Sequence, residues 1–77
     1  MMTTHNNKLI LKTIGKNVRE YRKNKGWSQE TFAFECGLHR TYIGAIERGE
    51  RNITILNLIL ITRKLEVSLN DIYTDKR

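Results

Sequence analysis

The side chains best equipped for chemistry in this 77-residue chain are cationic and hydrogen-bonding ones. Arg40, Thr41 and Tyr42 form a consecutive run, and Arg48, Arg51 and Asn52 follow soon after. A guanidinium is a planar fork that matches the two acceptors on a guanine edge. Threonine offers a hydroxyl and a methyl, suited to a phosphate or a thymine methyl, and tyrosine a hydroxyl for a phosphate and a ring for an exposed base step. The overall charge points the same way: 14 Lys and Arg against 8 Asp and Glu give a formal net charge of +6. A cation laid on a phosphate releases condensed counterions, so such a surface suits a polyanion. Catalytic chemistry is poorly served. The single cysteine, Cys36, excludes an internal disulfide framework and supplies no zinc cluster. His5 and His39 have no second ligand beside them, and no nucleophile–base pair is present. The expectation is a binding protein with no enzymatic activity, cofactor or metal.

These residues need a scaffold, and the chain is long enough for one small domain. Its 39% hydrophobic residues suffice for a core, and no proline and only five glycines interrupt it. Residues 1–7 are polar without periodicity and are expected to form a flexible N-terminal tail, with residues 8–77 as the folded domain. Leu11, Ile14, Val18 and Tyr21 recur at spacings of three and four, which predicts an amphipathic helix over residues 8–25. Lys12, Lys16, Arg19, Lys23 and Lys25 take its other face, and Gly26 stops it. Ser28 reads as the N-cap of a second helix with Phe32, Ala33 and Cys36 inward, ended by Gly37. A third helix spans residues 40–48, with Ile43 and Ile46 inward and Gly49 closing it. Thr54 caps a fourth over residues 55–65, and Ser68 caps a short fifth through about Tyr73, with Leu69 and Ile72 packing back. No segment alternates like a strand, so the fold class is all-α with five short helices. No apolar run reaches the ~18 residues of a membrane span and no signal-like stretch opens the chain, so a cytoplasmic protein without membrane contact is expected.

Residues 29–48 meet the demands of two helices crossing steeply through a tight turn. Ala33 is small where the helices touch, Gly37 tolerates the turn, and Phe32, Cys36 and Leu38 fill the wedge between them. Arg40, Thr41, Tyr42, Gly44 and Ala45 are left pointing outward, free of packing duty. With this motif in place, the chain resembles the lambda-repressor-like (Cro/C1, or XRE-type) helix-turn-helix DNA-binding proteins. The resemblance spans residues 14–72 and rests on Ile14-Gly15, Val18-Arg19, the run from Gly26 to Glu30, Ala33, Leu38, Ile43, the run from Ile46 to Gly49, and Leu65-Glu66-Val67. The run Arg40-Thr41-Tyr42-Ile43, then Ile46-Glu47-Arg48, then Arg51-Asn52-Ile53-Thr54-Ile55, looks more narrowly like the controller proteins of restriction–modification systems.

The resemblance implies a compact five-helix domain whose third helix lies in the major groove of double-stranded DNA. Arg40 is the leading base reader, with Thr41 and Tyr42 beside it. Gly44 has two readings, close approach to the groove or a glycine tolerated in a helix held by packing. Gln29 resembles the family's phosphate clamp at the positive end of a helix, and Ser28 serves as cap, phosphate donor or both. Arg48, Arg51 and Asn52 sit in the loop that would run along the backbone. His39 departs from the Ser, Thr or Asp common at its cap position, and its imidazole could contact a phosphate. Arg22 and Glu47 match positions that form a partly buried ion pair in relatives, which makes Glu47 a brace. Trp27 plugs the core beside the first helix, while Phe34 is on the wrong face for it.

One reading helix covers few base pairs, so a two-fold dimer on a pseudo-palindromic operator is expected. The fourth helix carries a hint of it. Leu58, Ile61 and Leu65 define a core-facing arc, and Ile55, Leu56, Ile59 and Leu60 extend it beyond what one small core buries. Leu69 and Tyr73 are further candidates for that interface, with a helix buried all round by its own fold as the alternative. An acidic patch drawn from Glu35, Glu47 and Glu50 is a candidate contact with RNA polymerase. The competing readings are a phage-type repressor and an antitoxin-like protein-interaction module, for which the stretch after Tyr73 leaves little room.

Overall fold

In a computed structural model, which describes residues 4–74, the chain folds into five α-helices. They are α1 (Thr4–Asn24), α2 (Gln29–Cys36), α3 (Arg40–Glu47), α4 (Ile55–Leu65) and α5 (Leu69–Tyr73), and no strand occurs among the described residues. Alpha-1 is the long axial helix, packed against both α3 and α5, while α2 packs on α3 and α4, and α4 on α5. No helix among the described residues is long and apolar enough to cross a membrane.

The helix starts follow from short polar side chains that satisfy otherwise orphaned amides. Ser28 Oγ accepts from the Thr31 amide at 3.0 Å, and Thr54 Oγ1 from the Asn57 amide at 3.1 Å. Ser68 and Asp71 form a reciprocal capping box at α5. Gly37, with φ +67°, makes the left-handed turn that closes α2, and its amide bonds back into the helix. At the end of α4 the same left-handed conformation falls on Glu66, a residue with a Cβ, at φ +62°. Lys25 holds it there by an ion pair that draws the Glu66 carboxyl below the usual carboxylate range, first through the hydrogen bond and then through its charge.

Every helix contributes to the core: Ile14 and Val18 of α1, Phe32, Ala33 and Cys36 of α2, Ile43 and Ile46 of α3, Ile61 and Leu65 of α4, and Ile72 of α5. Trp27 lies half-buried against this core, its ring stacked on Phe32 with centroids 5.9 Å apart. Phe34 is 82% exposed, on the outer side of α2. Asn17 is the buried polar residue of α1, and its side-chain amide donates to the carbonyls of Ile72 at 2.7 Å and Thr74 at 2.9 Å. It thereby caps the C-terminal carbonyls of α5 and fastens that short helix to the axial one.

Three expectations need adjustment. The first helix begins at Thr4, inside the stretch expected to be a tail, because no proline or glycine interrupts it there; residues 1–3 lie outside the described residues. Leu60 is half-buried against the core together with Leu58, so the apolar arc of α4 left open is narrower than its sequence implies. Leu69 remains 36% exposed, so it packs back less than expected, whereas Ile72 is fully buried and holds α5 to the core beside the tie from Asn17.

Cys36 is enclosed, and burial pushes its thiol up to about 11; the charge of Lys64 opposes this to a smaller extent and that of Glu35 adds to it. The thiol is therefore protonated and shielded at neutral pH, and a thiol-specific reagent should modify it only as the domain unfolds. Because the folded-state value exceeds the unfolded one of 9.0, this group favours the fold below pH 9. That contribution is lost as pH rises toward 11. Urea midpoints that fall over this alkaline range for the parent, and fall less for Cys36→Ala, are the expected result.

Candidate nucleic-acid interface

The base of the site is a buried polar brace joining α1, α2 and α3. Arg22 Nε donates to Glu47 Oε2 at 2.7 Å and Nη2 donates to Oε1 at 3.0 Å, a bidentate pair. The remaining Nη1 donates to the Trp27 carbonyl at 2.7 Å, which fixes the loop leading into α2. Gln29 completes the brace by donating from Nε2 to Glu47 Oε1 at 3.0 Å. The first residue of α2 is thus tied to the last residue of α3, and no buried side-chain polar atom is left unsatisfied among the described residues.

Seated on this brace and on Ile43 and Ile46, α3 turns its first residues to solvent. Arg40 and Thr41 are exposed, and so is His39, whose imidazole makes no cap hydrogen bond to the helix. Ser28 is exposed at the start of α2, beside the half-buried Gln29. Arg48, Arg51 and Asn52 are exposed after α3, and Ala45 is half-buried on its flank. Arg48 Nε donates to Glu50 at 3.0 Å.

Two residues expected to point freely outward do not. Gly44 is buried, and a Cβ placed there would lie 3.1 Å from Arg48 Nη1 and 3.6 Å from Gln29 Oε1. The space it leaves is covered by the protein's own side chains: an added Cβ would make ordinary contact with Gln29 and crowd only the flexible end of Arg48. Tyr42 is half-buried against the core, and its hydroxyl accepts from Asn57 Nδ2 at 2.9 Å. The Arg51 guanidinium lies over the Tyr42 ring, 5.1 Å from its centroid. Together with Gly37, Leu38, His39 and Thr41 these residues line a shallow concavity of about 450 Å³ beside α3. The bond from Asn57 occupies an acceptor position on the tyrosine oxygen and leaves its O–H free to donate outward. Sequence reasoning misses Asn57, because nothing local links it to a tyrosine fifteen residues earlier.

The second expected surface lies on α4 and α5. Ile55 and Leu56 are 60% and 76% exposed, Tyr73 is 59% exposed and Leu69 36%. Ile59 is half-buried between them and the core-facing side of α4.

The arrangement is that of a helix-turn-helix protein, and the chain belongs to the helix-turn-helix family, whose model matches residues 18–72. Within it, the chain is 45% identical over 65 residues to the control protein C.SmaI of Serratia marcescens, covering 84% of this chain and 77% of that protein. It is 46% identical over 70 residues to the control protein C.BamHI of Bacillus amyloliquefaciens, covering 90% of this chain and 83% of that one. Among solved structures it is similar to the restriction–modification controller protein C.AhdI of Aeromonas hydrophila. That match has a TM-score of 0.78 and 40% identity, over 82% of this chain and 96% of the other. It also resembles the controller protein C.Esp1396I, solved as a tetramer in complex with its natural 35-base-pair operator, with a TM-score of 0.72 and 43% identity over 78% of this chain and 79% of that one.

Proposed function

We propose that this chain is a sequence-specific DNA-binding transcription regulator of the restriction–modification controller type. It acts as a homodimer on a pseudo-palindromic operator and governs its own gene and that of the endonuclease. The observation that carries this reading is the placement of Arg40 and Thr41, open to solvent on the first turn of a helix whose other side is locked to α1 and α2. The likeness to control proteins, one of them solved on its operator, supports it.

In this reading α3 enters the major groove and Arg40 takes a guanine through its two acceptors. Thr41 meets a thymine methyl or a phosphate, and Tyr42 offers its free O–H to the backbone while Asn57 and Arg51 hold its ring in place. Ser28 and the amide end of α2 cradle one phosphate, with Gln29 held against Glu47. Arg48, Arg51, Asn52 and His39 flank the groove as backbone contacts. Ile55, Leu56, Ile59, Leu69 and Tyr73 form the dimer surface, spacing two copies of α3 about one helical turn apart. The protein has no catalytic role, resides in the cytoplasm and regulates by occupancy, blocking polymerase at one site or recruiting it at another.

The test is Arg40→Ala titrated on duplexes carrying the promoter DNA and single-base variants of it. A bidentate guanine contact predicts a loss of about 1–3 kcal/mol on the preferred duplex, with relaxed discrimination at one position of each half-site. A uniform loss across all duplexes reduces Arg40 to a phosphate contact, and unchanged affinity removes it from the interface.

A further inference from the structure

The exposed face of α1 carries a feature that the reading helix does not use. Lys8, Lys12, Lys16, Arg19 and Lys23 are all exposed. At about 100° per residue they fall within an arc of roughly 80°, spread over roughly 22 Å of helix. None of the five forms an ion pair among the described residues. Lys8–Lys12, Lys12–Lys16, Lys16–Arg19 and Arg19–Lys23 are like-charged neighbours at spacings of three or four, each mildly unfavourable to the helix. A surface helix laced for solubility alone would interleave acids at those spacings. Glu20 is the acid that α1 places at such spacings, four residues after Lys16 and three before Lys23; it shares a concavity with them and Arg19 but forms no ion pair with any of the five among the described residues.

The position of this stripe is fixed at Lys12. Its Nζ donates to the Arg48 carbonyl at 3.2 Å, and its backbone lies against Gly49, where an added Cβ would come within 2.9 Å of Lys12 Cα. The stripe therefore passes the end of α3 at Lys12 and runs along the side of α1 that adjoins α3, away from the Asn17 side that holds α5. We propose that the α1 stripe is a second DNA-contact surface, a sequence-independent track for phosphates of duplex DNA outside the bases that α3 reads. The inference rests on the DNA-binding function proposed above, and it adds a surface that carries affinity without selecting sequence.

The experiment uses a long duplex of arbitrary sequence, so that no operator has to be known. The full chain and the triple variant Lys16→Gln/Arg19→Gln/Lys23→Gln are titrated at several salt concentrations. Removing one cation from a phosphate flattens the slope of log K against log salt by about 0.9, so the triple variant should flatten it by between about 1 and 3. The pair Arg63→Gln/Lys64→Gln, exposed cations at the end of α4, is the control for net charge alone. A slope unchanged in the triple variant overturns the proposal, as does an equal change per charge in the control. An unchanged slope combined with failed transcription in a reconstituted system would overturn it in favour of polymerase contact. If the parent chain ignores every duplex, the DNA-binding reading itself has failed. If the parent binds and Arg40→Ala loses discrimination while the triple variant keeps the parental slope, only the stripe is refuted.

Discussion

Replacing Glu47 with alanine is expected to destabilise the domain by about 3–5 kcal/mol, the range for removing one partner of a buried ion pair. The Arg22 side chain is 9% exposed and that of Glu47 2%, so the stranded guanidinium cannot rehydrate without opening the α1–α3 contact. Two of its donors and the amide of Gln29 would be deprived of their acceptor together, leaving only the bond to the Trp27 carbonyl. A domain this small has a total stability at the low end of about 5–15 kcal/mol, so much of the variant should be unfolded at growth temperature. Glu47→Gln keeps one acceptor oxygen but leaves a net charge buried, and should fall between parent and alanine variant. The double variant Arg22→Met/Glu47→Leu removes both charges and should recover much of the loss, because a buried pair replaced by apolar volume is often neutral or better. Urea unfolding of the four proteins at pH 7 is the measurement. A loss below about 1 kcal/mol in Glu47→Ala would mean the pair is solvated and does not brace α3.

Parts of this architecture are legible in the sequence because their causes are local. Ser28, Thr54 and Ser68 each cap the amide three residues ahead, which needs only the neighbouring sequence. Phe32, Ala33, Cys36, Ile43 and Ile46 face inward because helical periodicity puts them there. Contacts across the chain are not legible in the same way. Asn17 looks like an ordinary polar residue beside an apolar stripe, yet it serves carbonyls more than fifty residues away. Gly44 has two readings in the sequence, groove approach or mere tolerance, and only the fold shows Gln29 and Arg48 lying beside it. Tyr42 belongs to the exposed side of α3 by period alone, but the chain returning through Arg51 and Asn57 captures it. The Glu47 brace follows from the family resemblance, whereas the share of Gln29 in it, and hence the direct tie from α2 to α3, requires the fold.

Gly15 is the position where one added methyl should do most harm. A Cβ there would sit 2.3 Å from the Ile46 carbonyl oxygen and 2.7 Å from that of Glu47, both backbone atoms at the end of α3. A flexible side chain could swing aside, but a helix backbone moves only as a whole. Overpacking usually costs about 1–3 kcal/mol, and occasionally more, while exchanging glycine for alanine within a helix returns roughly 1 kcal/mol. With rigid groups on one side of the clash, the expected balance for Gly15→Ala is a net loss of about 2 kcal/mol or more, larger again for Gly15→Val. The more telling effect lies in function. Alpha-1 can make room only by pushing the end of α3 outward, which stretches the Arg22–Glu47 pair and tilts the turn bearing Arg40 and Thr41. Gly15→Ala should therefore weaken binding to a preferred duplex more than to an arbitrary one, under conditions where circular dichroism shows the variant folded. Equal weakening on both duplexes would mean that α3 keeps its tilt and that the clash is absorbed elsewhere along α1.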